Sequence, residues 1–174
     1  MANYQIDNMH SEVSFKVKHL MISTVTGQFS EFNSTMVSEA ADFSDAKINF
    51  EASINSISTN NSQRDEHLKS ADFFDAANHP KMTFVSNAMT SKGDSEYALS
   101  GILTIRGHAK PVILNVQYEG KMVDPYGNEK HGFEISGKIS RKEFGLEWSA
   151  VTEAGGIVVS DEVKLAINAQ FQKL

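Results

Sequence analysis

Histidine, arginine and carboxylate are the side chains through which this sequence could do chemistry, and their spacing limits what that chemistry can be. Six histidines stand at positions 10, 19, 67, 79, 108 and 131. They form no His-x-His pair and no His-Glu-x-x-His, and the chain has no cysteine, so the local ligand spacings of zinc sites are missing. Gly-x-Ser-x-Gly, the P-loop and Gly-x-Gly-x-x-Gly are also absent. Asp65 and His67 would make an acid–base pair only if they met. At i and i+2 on a helix they point in different directions. The residue pattern therefore predicts no catalytic constellation, no metal and no cofactor.

Chemistry-bearing residues concentrate between Thr59 and Ser86, where Arg64-Asp65-Glu66-His67 and Lys69 precede Phe73 and Phe74. This stretch reads as helix in a chain otherwise patterned for strands. Ser62 with Asp65 three residues later resembles a helix N-terminus, with Asp65 and Glu66 placed to suit the dipole. The charges fit either a solvated helix face or a cover over something beneath. Pro80 ends the excursion.

The surrounding elements alternate. Val13, Phe15 and Val17 oppose Glu12, Ser14, Lys16 and Lys18; Ile48, Phe50, Ala52 and Ile54 oppose Lys47, Asn49, Glu51 and Ser53. Such a period of two marks half-buried antiparallel strands. Lys81 to Ser86, Tyr97 to Arg106, Val112 to Tyr118, Phe133 to Ser140 and Val163 to Gln172 continue the pattern. Val25 to Val37 is less regular, because Phe29 and Phe32 cannot share a face without a bulge. Gly107-His108-Ala109-Lys110 reads as a hairpin connection, and Pro125-Tyr126-Gly127-Asn128 as a turn. Ser38–Ser44 and Lys142–Gly156 carry no regular period. About eight strands with single-sided apolar faces predict an all-β fold, an antiparallel barrel that closes to remove its edges, with one short helical insertion around residues 61–77. No repeat or boundary divides the chain, so residues 1–174 read as one domain.

Eight strands enclose a space that side chains can just fill or that holds one ligand. The small inward residues Ala52, Gly101, Gly137 and Ala169 favour a hollow. Against that, Phe15, Phe50, Phe133 and Phe171 are large enough to fill the gaps, and both arrangements remain open at this point. Polar residues enter the inward phase where strands end, at His19, Ser56, Ser86 and Arg141, as they would around a mouth.

Bulk properties exclude some partners. The 174 residues carry a net charge of −6 and a pI near 5.5, which argues against a nucleic-acid backbone as partner. No apolar run approaches the roughly 18 residues of a membrane span, so stable membrane insertion is not expected. Met1–Asn8 has neither a basic n-region nor an apolar h-region, which predicts a cytoplasmic protein for the sequence as it stands.

The sequence resembles the YceI-like family of polyisoprenoid-binding proteins. The similarity begins with Ile6-Asp7-x-x-His10-Ser11-x-Val13-x-Phe15-x-Val17-Lys18-His19 and continues through Val25-x-Gly27-x-Phe29-x-x-Phe32. Its most specific block is Arg64-Asp65-x-His67-Leu68-Lys69-Ser70-x-Asp72-Phe73-Phe74-Asp75, followed by His79-Pro80-x-Met82-x-Phe84. Later matches are Gly101-x-Leu103-Thr104-Ile105-Arg106-Gly107 and Ile139-x-Arg141-x-x-Phe144-Gly145. The resemblance implies an extended, lipocalin-like barrel that binds, stores or transports a long-chain isoprenoid, a quinone tail or a fatty-acid derivative without catalysis. Many members are periplasmic or secreted, and many pair, so a homodimer is a further expectation.

Strand phase and the family pattern together nominate ligand-binding residues. Phe15, Val17, Phe50, Ile54, Phe84, Leu103, Ile105, Leu114, Ile135 and Ile139 would line the tube. Leu68, Phe73 and Phe74 would close or extend it, and His19, Arg64 and Arg141 would meet the head of the ligand. A long tail suits such a tube. Burial of each CH₂ contributes about 0.8 kcal/mol, so about ten carbons gain roughly 8 kcal/mol against an association cost of roughly 4–15 kcal/mol. About thirty carbons clear that cost comfortably. Two other readings remain: an enzyme using His19, His67 or Arg141 on a lipid in the same cavity, and an interaction module with a filled core.

Overall fold

The computed structural model describes residues 1–148 and 159–174. Eleven strands form one antiparallel sheet: β1 (Ala2–Ile6), β2 (Glu12–His19), β3 (Ser23–Phe29), β4 (Phe32–Ser38), β5 (Lys47–Ser53), β6 (Ile57–Ser58), β7 (Lys81–Gly93), β8 (Glu96–Ile105), β9 (His108–Val123), β10 (Glu129–Ser140) and β11 (Val159–Lys173). One helix, α1 (Ser62–Lys69), joins β6 to β7.

The eleven reduce to eight. Strands β1 and β2 run in succession along β11, with Ile6 opposite Phe171 and Val13 opposite Ile167. Likewise β3 continues as β4, and β5 as β6, each broken once. The circuit β1–β4–β5–β7–β8–β9–β10–β11–β1 closes the barrel, while β2, β3 and β6 branch from β11 and extend one end.

The three breaks lie side by side and have visible causes. Between β1 and β2 the Asp7 carboxylate caps a turn over Asn8–His10 by accepting from Met9 N. Between β3 and β4, Ser30 and Glu31 step the chain so that Phe29 and Phe32 are both buried. Between β5 and β6, a single turn over Ile54–Ser56 does the same. Neighbouring breaks are tied together: Ser53 N donates to Glu31 O at 2.8 Å, and Asn8 donates to Phe32 O. The irregularity of Val25–Val37 is thus one step in a belt of three.

Strand β7 runs to Gly93, well beyond the Ser86 at which its alternation fades, and a bulge between Ser86 and Ala88 explains the lost phase. Ser86 therefore sits within a strand, donated to by Ile48 N, and not at a strand end. The irregular loop after β4 delivers Phe43, 2% exposed, into the barrel's end. There it meets Tyr4, Tyr118 and Phe133 at ring separations of 5.6, 5.5 and 5.4 Å. This aromatic plug closes one end. Of the other irregular stretch, Lys142–Gly156, residues 149–156 lie outside the described residues. Among the described residues, no helix is long and apolar enough to cross a membrane.

Candidate functional site

At the end opposite the plug, the insertion after β6 forms the cover. Helix α1 begins at the Asn61 cap, whose side chain accepts from Arg64 N, so the cap lies one residue before Ser62. Asp65 accepts from both the Thr59 amide and the Thr59 hydroxyl, at 2.8 and 2.6 Å. Arg64 donates to Thr59 Oγ1 and Thr59 O, at 2.8 and 2.7 Å. The pair thus anchors the helix to the end of β6, and Arg64 is committed there.

The aromatic side of the cover turns inward. Phe73 is 6% exposed, and its carbonyl accepts from Arg106 at 2.8 Å, tying the cover to the β8–β9 turn. Phe74 meets Phe29 edge-on at 6.2 Å. His67 packs edge-on against Phe73 and Trp148 at 5.1 and 4.8 Å, and it bonds Asp72 at 2.9 Å.

Between plug and cover lies an elongated cavity, partly open to solvent. Its volume is about 170 Å³. The wall is apolar. Among the described residues, Ser14, Ser34 and Arg141 are the polar ones lining it.

Thirteen of the sequence-nominated residues stand in this lining. Strand β2 places Phe15 and Val17, β5 Phe50, β7 Phe84, β8 Leu103 and Ile105, β9 Leu114, and β10 Ile135 and Ile139. Leu68, Phe73 and Phe74 enter from the cover, and Arg141 from the turn after β10. Three nominated residues do not line it, the first being Arg64, which is held on Thr59. Ile54, 1% exposed, belongs to the packed turn between β5 and β6, where the chain has left strand phase. His19 keeps the inward phase but lies past the last lining position of β2, pairing with Ser23 and Val159.

The source of the hollow also differs from the expectation. Of the four small inward residues only Ala169 faces the cavity. At Gly101 an added Cβ would come within 2.5 Å of Phe84 Cζ, and at Gly137 within 2.6 Å of Leu114 Cδ2. Those glycines are seats that let larger neighbours lie flat along the wall. Strand β11 contributes Val163, Leu165, Ile167, Ala169 and Phe171, which alternation alone would have nominated. Leu146, by contrast, lies in an aperiodic turn and gives no sequence signal.

Arg141 is buried, 3% exposed. Its Nε donates to Ser160 O at 2.9 Å, Nη1 to Trp148 O at 2.8 Å and to Leu146 O, and Nη2 to Val159 O at 3.1 Å. The guanidinium therefore pins the chain before and after residues 149–158. Burial weakens its hold on its proton, and the charge of Asp161 acts the other way. Asp161 itself is held by Ser140 Oγ and Lys142 N.

Comparison with known proteins fits this geometry. The family model of the YceI-like domain matches residues 4–171. The chain belongs to the YceI-like family. Protein YceI of Salmonella newport is 37% identical over 171 residues, covering 97% of this chain and 86% of that protein. Among solved structures, BcnA of Burkholderia cenocepacia superposes with a TM-score of 0.83 at 24% identity, covering 95% of this chain and 98% of its own. A polyisoprenoid-binding domain from Saccharophagus degradans gives 0.71 at 16% identity, with 97% of each chain covered. At such identities these two structures establish the shared fold. The YceI-like barrel here is a closed eight-strand antiparallel barrel of that kind.

A second polar cluster lies outside the cavity, beside the plug. Buried His131 bonds Tyr118 Oη through Nδ1 at 2.8 Å and Glu129 through Nε2 at 2.9 Å. Its rings belong to the closed end of the YceI-like barrel. Among the described residues, no cluster of three or more His, Cys, Asp or Glu side chains could hold a metal ion.

Proposed function

We propose that this YceI-like protein binds a long-chain isoprenoid or a chemically similar lipid tail in its barrel, and stores or carries it without altering it. The observation that carries this reading is the continuity of the apolar wall. From Val17 and Ile139 near the cover to Phe171 near the plug, the described lining is hydrocarbon except at Ser14, Ser34 and Arg141. Such a surface rewards chain length, each buried CH₂ adding about 0.8 kcal/mol, and is indifferent to most head groups. A related fold in Saccharophagus degradans is described as polyisoprenoid-binding, which supports the same ligand class.

Storage or carriage is favoured over catalysis by where the candidate acid–base groups sit. His19 and His67 are not among the lining residues, and four N–H groups of Arg141 are spent on backbone carbonyls. Arg141 contributes a positive field at the covered end, where a head group would sit.

A lumen-filling substitution tests the reading. Leu114→Trp should abolish uptake of a labelled prenyl chain from dispersion while the barrel remains folded by circular dichroism. Undiminished uptake by a folded variant would place the ligand elsewhere.

A further inference from the structure

The β2–β3 turn is built against ordinary preference. His19-Leu20-Met21-Ile22 closes with Ile22 N donating to His19 O at 3.4 Å, and Leu20 and Met21 both take left-handed backbone, at φ 53° and 61°. That conformation suits Asn-Gly and is costly for residues with a branched or long side chain. The side chains it presents are apolar yet outward: Leu20 is 41% exposed, Met21 72% and Ile22 86%. Neither backbone preference nor water explains this choice.

Beside the turn runs a second anomaly. On the outer face, Lys138, Lys164 and Lys16 stand directly opposite one another across β10, β11 and β2. Like charges so paired repel. Among the described residues, the single carboxylate within 4.0 Å of any of the three is Glu162, at that distance from Lys138. Lys18, two residues nearer the turn, continues the row along β2. This concentration occurs in a chain whose net charge is −6.

Both features sit at the covered end of the cavity. Val17 and Val159 are the last lining positions there, and Val159 pairs with His19, the first residue of the turn. We propose that the Leu20–Ile22 tip and the Lys16–Lys18–Lys164–Lys138 row form a docking surface for an anionic lipid bilayer. Apolar side chains on such a tip enter the boundary between headgroups and acyl chains, and the lysines face the anionic headgroups. The mouth of the barrel is then held against a source of long hydrocarbon chains. The surface complements the lipid-carrier reading but uses residues outside the cavity, so the two can fail separately.

The opposite end supplies a control. The β9–β10 hairpin also exposes apolar side chains, with Met122 63%, Val123 58% and Tyr126 90% exposed, but it adjoins the aromatic plug and lacks the lysine row. The full chain is floated with vesicles of phosphatidylcholine alone, and with vesicles containing about 30% phosphatidylglycerol to supply the anionic surface. Binding is expected on the anionic vesicles and should weaken as salt rises. Met21→Glu/Ile22→Glu should lower it by about tenfold or more. Lys16→Glu should lower it by at least about fivefold, and Met122→Glu/Tyr126→Ser should leave it unchanged. Absence of wild-type binding to the anionic vesicles, equal binding by Met21→Glu/Ile22→Glu, or an equal loss in the β9–β10 variant would each overturn the proposal. Uptake of a prenyl chain from detergent dispersion by Met21→Glu/Ile22→Glu reports separately on the cavity, and should be retained.

Discussion

The ring of Phe15 lies directly over the Cα of Gly27, so that a Cβ added there would come within 2.2 Å of Phe15 Cζ. The two residues are opposite one another across β2 and β3. Together with Phe84 over Gly101 and Leu114 over Gly137, this pairing sets the bore of the lumen. A glycine in the wall removes bulk from behind a side chain, which can then lie flat instead of reaching across.

Gly27→Ala should therefore narrow the cavity. The methyl must displace the Phe15 ring toward the lumen, and overpacking of this kind costs roughly 1–3 kcal/mol. The expected result is a lower denaturation midpoint together with reduced loading of a long prenyl chain. Unchanged loading would show that the ring has another place to go.

Arg141 should prove a structural clamp before it proves a head-group ligand. Arg141→Met removes the donor from four carbonyls and leaves them poorly satisfied, at an expected cost of about 2–4 kcal/mol. Arg141→Lys keeps the charge but not the planar fork, and should recover only part of that stability. Urea unfolding measures both. Full stability of Arg141→Met, with loss of lipid binding alone, would reverse the assignment.

Acid should loosen the seam between the β1–β2 break and β10. Burial pushes the Asp7 carboxyl up, but hydrogen bonds from Lys130 at 2.6 Å and His10 at 2.7 Å, with their charges, hold it at about 2. The folded value lies below the unfolded value of about 3.9. The stabilisation is therefore complete above about pH 4 and disappears as pH falls toward 2. Allowing for solvent screening, it amounts to roughly 1–2 kcal/mol. Asp7→Asn should be less stable at neutral pH and show a flatter decline between about pH 4 and 2 in pH-dependent thermal unfolding.

Much of this was legible in the sequence because half-buried strands write their phase into alternate residues. The positions 15, 17, 50, 84, 103, 105, 114, 135 and 139 follow from that phase, and all stand in the lining. Phase fails where the chain steps. Ile54 belongs to a turn between two strand segments, and Ser86 precedes a bulge, so extrapolated alternation misplaces both. Phe43 and Leu146 come from aperiodic loops, whose direction is decided by tertiary contacts and not by local pattern. The glycines illustrate a different limit. A small residue in the inward phase signals space, but sequence does not say whether the space is empty or occupied by the neighbour across the ladder. Gly27, Gly101 and Gly137 are occupied.

The barrel is proposed to hold a long hydrocarbon chain. Native mass spectrometry of the protein as purified, followed by solvent extraction, tests it most directly. The expected result is an added mass that survives gentle desolvation and an extract containing a long prenyl or similar lipid, both lost in Leu114→Trp. A bare polypeptide mass, with no uptake of a prenyl chain supplied afterwards, would contradict it.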